Sequence, residues 1–205
     1  MTEPRAVAQS VEEVVPGVWR WWVHDERIGG YEADAHAVAV DGGVVLIDPL
    51  PLEPDALAAL GRVHAVYLTA ACHQRSSWRL RRELGARVHA PRGARTLEEE
   101  PDAWYAAGDE LPGALRAVHT PGPESAHHSF LREREPRVLF CSDLLTHYAG
   151  RALDYVPLRY HDEPETTKQT VRGLLALDFD VMCFDHGAPI TDDPHAALRE
   201  LVQRG

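Results

Sequence analysis

The sequence has few cysteines, a deficit of positive charge and no long apolar run. Its three cysteines, Cys72, Cys141 and Cys183, are an odd number, and no apolar segment begins the chain, so we expect a reducing cytoplasm and no disulfides. No apolar run reaches the ~18 residues that a membrane span needs, so no membrane partner is expected. Lys and Arg total 21 against 32 Asp and Glu, and the net charge of −11 disfavours nucleic acid as a partner.

The apolar content is sufficient for one hydrophobic core. With 205 residues, of which 44% are hydrophobic and 26% charged, the chain has the size of one globular domain. No linker and no closely repeated segment interrupts it. We therefore predict a single domain over residues 1–205.

Strand and helix patterns alternate along the chain. Alternating Val, Trp and Arg over residues 18–23 predict a strand, and the Asp41-Gly42-Gly43 sequence between two apolar runs predicts a hairpin. Helices are predicted near residues 77–84, after Pro164, and close to the end of the chain. A short helix is predicted within a surface excursion over residues 95–115.

Polar residues collect where the predicted strands end. Residues 48–51, 69–77, 120–128, 142–143 and 185–187 each follow a strongly apolar run. Because a rigid sheet holds side chains well at its strand ends, we expect the functional groups in these five loops.

Five segments in this order resemble the metallo-β-lactamase fold superfamily, hydrolases that include glyoxalase II and lactonases. The segments are VVLIDP, VYLTAACHQRSSW, AVHTPGPESAHHSF, VLFCSDLL and DFDVMCFDHGAPI. The resemblance implies an α/β (α+β) fold, a four-layer αββα sandwich of the metallo-β-lactamase type.

The resemblance also places the metal ligands of the family on this sequence. The three histidines of the first metal fall on Ala70, Cys72 and Pro123. The second metal's aspartate and two histidines fall on Gln74, Arg75 and His186, and the bridging aspartate falls on Asp143. Only Asp143 and His186 keep the family's ligand types, so the metal-binding motif is degenerate.

These replacements bear directly on metal binding. A catalytic zinc needs about three protein ligands, whereas alanine and proline offer none and arginine keeps its positive charge. We expect the guanidinium of Arg75 to lie against Asp143 in place of the lost cation, with Gln74 and His186 completing the hydrogen bonding. The leading interpretation is a diverged protein without a cofactor that binds a small molecule. The oligomeric state stays open.

The alternative is a hydrolase of esters, thioesters or lactones. It would use one zinc or similar metal held by Cys72, Asp143 and His186, or Cys72 as a nucleophile served by His186 and Asp143. A third possibility is that Cys72 is buried and inert, as free cysteines often are. The sequence alone leaves these alternatives open.

Other residues receive supporting roles. By the resemblance, Asp48 supports the loop at residues 69–77 without being a metal ligand itself. His73 is expected to be structural or to face solvent. His127 and His128 follow Pro123 and are expected at the surface. A structural or regulatory subunit is the remaining class of function, for which an exposed patch of the N-terminal tryptophans would be the sign.

Overall fold

The computed structural model describes residues 3–204, and the chain divides into two compact units between Tyr105 and Ala106. The predicted single domain over residues 1–205 includes residues 1, 2 and 205, which lie outside the described residues. That prediction therefore stays a prediction. Each unit is described by itself below.

The first unit is built on one seven-stranded sheet whose strands follow chain order. The strands are β1 (Glu12–Val15), β2 (Val18–Asp25), β3 (Tyr31–Val40), β4 (Gly43–Ile47), β5 (Val63–Tyr67), β6 (Arg87–Pro91) and β7 (Ala103–Tyr105). Pairing is antiparallel from β1 to β4 and parallel from β4 to β7. The parallel half places the ends of β4 and β5 side by side, and the loops discussed below leave from there.

Local sequence explains these elements well. Gly42, at φ 75°, makes the turn of the predicted hairpin between β3 and β4. Helix α1 (Pro54–Ala59) and helix α2 (Ser77–Leu84) make two of the crossovers. Helix α2 ends at Gly85, whose left-handed φ of 68° lets its amide donate to the carbonyl of Arg81.

The core of the first unit collects the inward side chains of this sheet and of α2. Trp21 is fully buried and donates from Nε1 to the carbonyl of Leu50 at 3.0 Å, and Trp78 packs in the same cluster. Trp22 is 38% exposed, and the guanidinium of Arg20 covers its ring at 4.2 Å. Trp21 thus serves packing in its own unit.

The second unit contains a five-stranded sheet in the order β14-β11-β10-β9-β8. Its strands are β8 (Glu110–Leu111), β9 (Leu115–His119), β10 (His128–Arg132), β11 (Val138–Phe140) and β14 (Val181–Cys183), and a separate pair is formed by β12 (Leu145–Thr146) and β13 (Asp154–Tyr155). Helices α3 (Pro164–Gly173) and α4 (Pro194–Arg204) follow the predicted starts. Val171, Leu174 and Leu198 are buried in the core of this unit.

The short helix predicted over residues 95–115 is wrong. The structure has two short strands there, since β7 pairs with β6 and β8 pairs with β9. Backbone pairing with a neighbouring strand overrides a weak local preference.

Among residues 3–204, every helix falls short of the length and apolar character that crossing a membrane requires.

Candidate functional site

Asp48 organises the loop that follows β5. It stands just after β4 with a positive φ of 46°, and its carboxylate accepts from the amide and the hydroxyl of Thr69. His73 Nδ1 lies 3.1 Å from the same carboxylate. Because β4 and β5 are parallel neighbours, Asp48 is placed at the start of the next loop. His73 is therefore buried in a polar network and does not face solvent.

Gln74 has a fully bonded amide. Its Oε1 accepts from Trp78 Nε1 at 2.9 Å and from the amide of Glu98 at 2.6 Å. Its Nε2 donates to the carbonyls of Ala71 and Thr96 at 2.8 and 3.3 Å. The side chain therefore fixes the loop to α2 and to the segment before β7, and both lone pairs of its oxygen are in use.

Arg75 is a buried cation, only 6% exposed. Its Nη1 donates to the carbonyls of Asp34 and Asp48 at 2.7 and 2.9 Å, and its backbone φ is 39°. Burial favours a raised pKa at Asp25, but bonds from Arg27 and the charges of Arg27 and Arg75 hold that pKa below its ordinary value. The positive charge of Arg75 therefore acts on the Asp25 carboxylate of its own unit.

Ala70 and Cys72 differ in accessibility. Ala70 is fully buried, and its side chain has no atom that could bind a metal. Cys72 is exposed in the short 3-10 turn Ala71–His73. The expectation that Cys72 is buried is therefore wrong. That description fits Cys141 and Cys183, which are both buried, and burial raises the pKa of Cys141 well above its ordinary value. Cys72 points outward because it lies in the tight turn Ala71–His73. The pattern of apolar residues in the sequence does not predict the direction of a side chain in such a turn.

In the second unit, Asp143 and His186 form a pair. Asp143 lies in the 3-10 turn Ser142–Leu144 after β11, and His186 lies three residues beyond β14, which is the parallel neighbour of β11. His186 Nε2 is 3.0 Å from Asp143 Oδ1, and the two side chains are 13% and 17% exposed. Thr146 Oγ1 donates to the His186 carbonyl at 2.7 Å, which holds the backbone of this residue. The pair is therefore partly exposed, and the backbone of His186 is held in place.

The loop over residues 120–128 departs from expectation. Pro123 offers no donor atom from its side chain. His127 and His128, expected at the surface, are buried, so that expectation is wrong. His127 Nδ1 donates to the Thr120 carbonyl at 2.9 Å, and His128 Nδ1 donates to the Ala126 carbonyl at 2.8 Å. A tight loop whose carbonyls need donors draws both rings inward.

Burial also decides the charge of His128. It lowers the pKa of the imidazole below its ordinary value, and the charge of His119 adds to this, against an opposing effect of the bond to Ala126. His128 is therefore neutral at neutral pH.

His161 is a candidate residue that sequence reasoning missed. Its ring is buried, and Nδ1 lies 2.7 Å from Thr167 Oγ1 on α3. The sequence signal is weak: His161 lies six residues before Thr167, and helix α3 begins between them at Pro164. That spacing is too common to be specific.

The comparisons with known proteins place the chain in a family. The sequence profile described as "Metallo-beta-lactamase superfamily" matches residues 14–204, so the chain belongs to this superfamily. No curated protein matches the sequence.

Solved structures agree on the fold. A metallo-beta-lactamase from Pontibacter korlensis is 14% identical with a TM-score of 0.75, covering 96% of this chain and 99% of that one. A metallo-beta-lactamase from Erythrobacter litoralis is 13% identical at TM-score 0.71, covering 95% and 92%. A metallo-beta-lactamase family protein from Thermus thermophilus is 20% identical at TM-score 0.69, covering 94% and 80%. These similarities confirm the predicted fold class, a mixed α/β chain of the metallo-β-lactamase type.

Proposed function

We propose that this protein is a diverged member of its superfamily that has lost the two-metal hydrolytic centre and binds a small molecule without a cofactor. Two positions of the second metal's ligand set, assigned by resemblance, are Gln74 and Arg75. The resemblance gives three further positions to Ala70, Cys72 and Pro123. This donor set does not fit two metal ions, because alanine and proline have no ligand atoms and arginine stays protonated.

The observation that carries the proposal is the bonding of Arg75. Its guanidinium is buried and held by the carbonyls of Asp34 and Asp48. A charge fixed in this way is not free to swing into solvent. At about 4 Å and an effective dielectric near 20, two unit charges interact by roughly 4 kcal/mol, and a divalent ion would meet about twice that repulsion.

Gln74 supports the same proposal. Its amide oxygen already accepts two hydrogen bonds. Ligation of a cation by this oxygen would leave Trp78 Nε1 or the Glu98 amide without a partner, at a cost of about 1–3 kcal/mol. The side chain therefore acts as a brace for the loop.

The partly exposed Asp143–His186 pair supports binding of a small polar molecule. The carboxylate has about four lone-pair sites, so it can accept from a ligand while it is bonded to His186. In this proposal Asp143 binds the ligand and His186 orients the carboxylate. The predicted bond from Arg75 to Asp143 belongs to the same proposal.

The hydrolase alternative has one observation in its favour, the exposed thiol of Cys72. A thiolate can attack a thioester or lactone, and it can also bind zinc. Both versions also require Asp143 and His186, the two residues that keep the family's ligand types.

Elemental analysis combined with an activity panel separates these functions. The protein is purified without a histidine tag, its metal content is measured, and wild type and Cys72→Ala are assayed on thioesters, esters and lactones. The proposal expects less than stoichiometric metal and no turnover. Zinc that is lost in Cys72→Ala would favour the single-metal hydrolase, and metal-free turnover that needs the thiol would favour the nucleophile.

A further inference from the structure

The second unit contains a cavity of about 310 Å³ that neither Asp143 nor His186 lines. It lies between helix α4, the segment before this helix and the loop that joins β12 to β13. An apolar floor is formed by Leu153, which is buried, together with Ile190 and Ala197. Small-molecule sites commonly occupy about 300–1,000 Å³, so this cavity suits a ligand at the small end of that range.

Backbone hydrogen bonds fix two walls of the cavity. Ile190 and Met182 of β14 exchange a pair of backbone hydrogen bonds of 2.9 and 3.0 Å. The backbone of His147 forms a parallel bridge with that of Gly187, four residues beyond the same strand. Because both walls are tied to β14 and to the segment that leaves it, the cavity is formed before any ligand binds.

Helix α4 provides the third wall. Ala197, Glu200 and Arg204 line the cavity at intervals of three and four residues, so they occupy one face of the helix. Leu198 is buried in the core of the unit and holds the helix against it. Arg204 Nη2 donates to the Leu153 carbonyl at 2.7 Å, so the end of the helix is also bonded to the floor of the cavity.

The His147 imidazole adds a hydrogen-bond acceptor to the lining. Its Nδ1 lies 2.8 Å from the carbonyl oxygen of Ala188. A carbonyl oxygen only accepts, so Nδ1 carries the proton of the neutral ring and Nε2 carries the lone pair. The side chain is partly exposed, and Nε2 has no hydrogen-bond partner among residues 3–204. A ligand with an N–H group can therefore donate to this ring.

The charge of the lining is negative. Asp192 and Glu200 are exposed, and within residues 3–204 neither carboxylate forms an ion pair or a hydrogen bond. Their two charges exceed the single positive charge of Arg204, whose guanidinium already donates to a carbonyl. An anionic ligand would meet net repulsion here, whereas a cation that donates hydrogen bonds would be attracted.

We propose that this cavity binds the ammonium group of a small amine that carries a short apolar chain. An ammonium group has three N–H donors, and the lining offers three acceptor side chains, His147, Asp192 and Glu200. The chain of the amine lies on the apolar floor. This is a second ligand site, and it does not depend on the function proposed for the Asp143–His186 pair.

Titration of the isotopically labelled full chain with butylamine tests the proposal. NMR follows the ring nitrogens of His147 at mildly alkaline pH, where the amine is protonated and imidazoles are neutral. Butanol keeps the chain without the charge, butyrate reverses the charge, and ammonium chloride keeps the charge without the chain. We expect butylamine to shift Nε2 of His147, and each comparison probe to bind at least about threefold more weakly.

Charge variants give a second readout. Asp192→Asn and Glu200→Gln each remove one negative charge with little change in volume. Exposed ion pairs contribute little individually, so each variant should weaken amine binding about threefold, and the double variant about tenfold. Glu110→Gln is the matched control, because Glu110 is an exposed carboxylate of β8 in the same unit and outside the cavity. It should bind the amine as tightly as wild type.

A filling variant tests the cavity itself. Ala197→Phe places a large side chain in the space beside α4 and should abolish amine binding. Ala196→Phe is its control, because the neighbouring Ala196 is exposed and does not line the cavity. If Ala197→Phe fails to fold, the charge variants remain decisive, since they change exposed positions.

Four results would overturn the proposal. Butylamine could leave His147 unshifted, or butyrate or butanol could bind as tightly as the amine. Ammonium alone could bind as tightly, which would show that the apolar floor has no role. Equal amine affinity in Glu200→Gln and Glu110→Gln would show that the overall charge of the protein, and not this cavity, attracts the amine.

Discussion

The backbone of Gly187 lies so close to His147 that no side chain fits between them. A Cβ atom at Gly187 would stand 2.2 Å from the His147 carbonyl oxygen, and the φ of Gly187 is 114°. On either side, the His147 amide donates to the His186 carbonyl at 3.0 Å and the Ala188 amide donates to the His147 carbonyl at 2.9 Å. This contact fixes the backbone that presents His186 to Asp143.

Gly187→Ala should therefore destabilise the protein by about 2 kcal/mol or more, because it combines a backbone clash with a disfavoured φ. Gly150→Ala is the matched control, since Gly150 has a φ of 73° and a Cβ atom placed there would meet nothing within 4 Å. That control should cost about 1–2 kcal/mol, the cost of the left-handed conformation. Chemical denaturation measures both, and equal losses would show that the close contact has no energetic role.

Gln74→Glu should destabilise the protein by about 1–3 kcal/mol at neutral pH. The carboxylate would replace the amide donor that now bonds the Ala71 and Thr96 carbonyls, so oxygen would face oxygen. Protonation should recover part of the loss near pH ~4. Gln203→Glu, on the exposed side of α4, is the control and should cost within about 0.5 kcal/mol. A Gln74→Glu protein as stable as wild type would contradict the bracing role.

The stability of the protein should fall on mild acidification. Burial lowers the pKa of His89, His128 and His161, so the unfolded chain binds protons more readily than the folded one. The contribution is fully present above about pH 6.5 and is lost as the pH falls through the lowered values, at about 1.4 kcal/mol per pKa unit and residue. His128→Asn keeps a donor for the Ala126 carbonyl and should show a smaller loss. Urea titrations between neutral and mildly acidic pH measure the free energy of unfolding of both proteins. If it falls equally with pH in wild type and His128→Asn, His128 does not contribute to the pH dependence.

Thiol labelling should distinguish the three cysteines. Cys72 is exposed, whereas Cys141 and Cys183 are buried. A disulfide reagent such as Ellman's reagent should therefore modify one thiol rapidly in the native protein, and no thiol rapidly in Cys72→Ala. All three should react after unfolding. Rapid reaction of a second native thiol would show that one of the buried cysteines is accessible.

The sequence predicted those elements whose cause is local. The Asp41-Gly42 turn and the Gly85 helix end depend on positive φ at glycine, which a sequence displays directly. The region over residues 95–115 contains β7 and β8, and these strands exist because β6 and β9 lie beside them. Pairing between distant segments is not encoded in a local window.

The candidate site was predictable only in part. Motif order identified the loops that carry Asp48, Asp143 and His186, and the family profile confirms the superfamily. Side-chain direction was not predictable, as the exposed Cys72 and the buried His128 show. His161 was missed because its partner Thr167 and its approach to Pro123 depend on how α3 docks.

The binding of zinc to metal-stripped protein tests the central claim most directly. The full chain is treated with chelator, dialysed and titrated with zinc alone in a calorimeter, with Cys72→Ala measured in parallel to identify binding by the exposed thiol. The account predicts no tight stoichiometric site, because Arg75 and Gln74 are held by their own hydrogen bonds. Tight uptake of two zinc equivalents by the wild-type protein would contradict it.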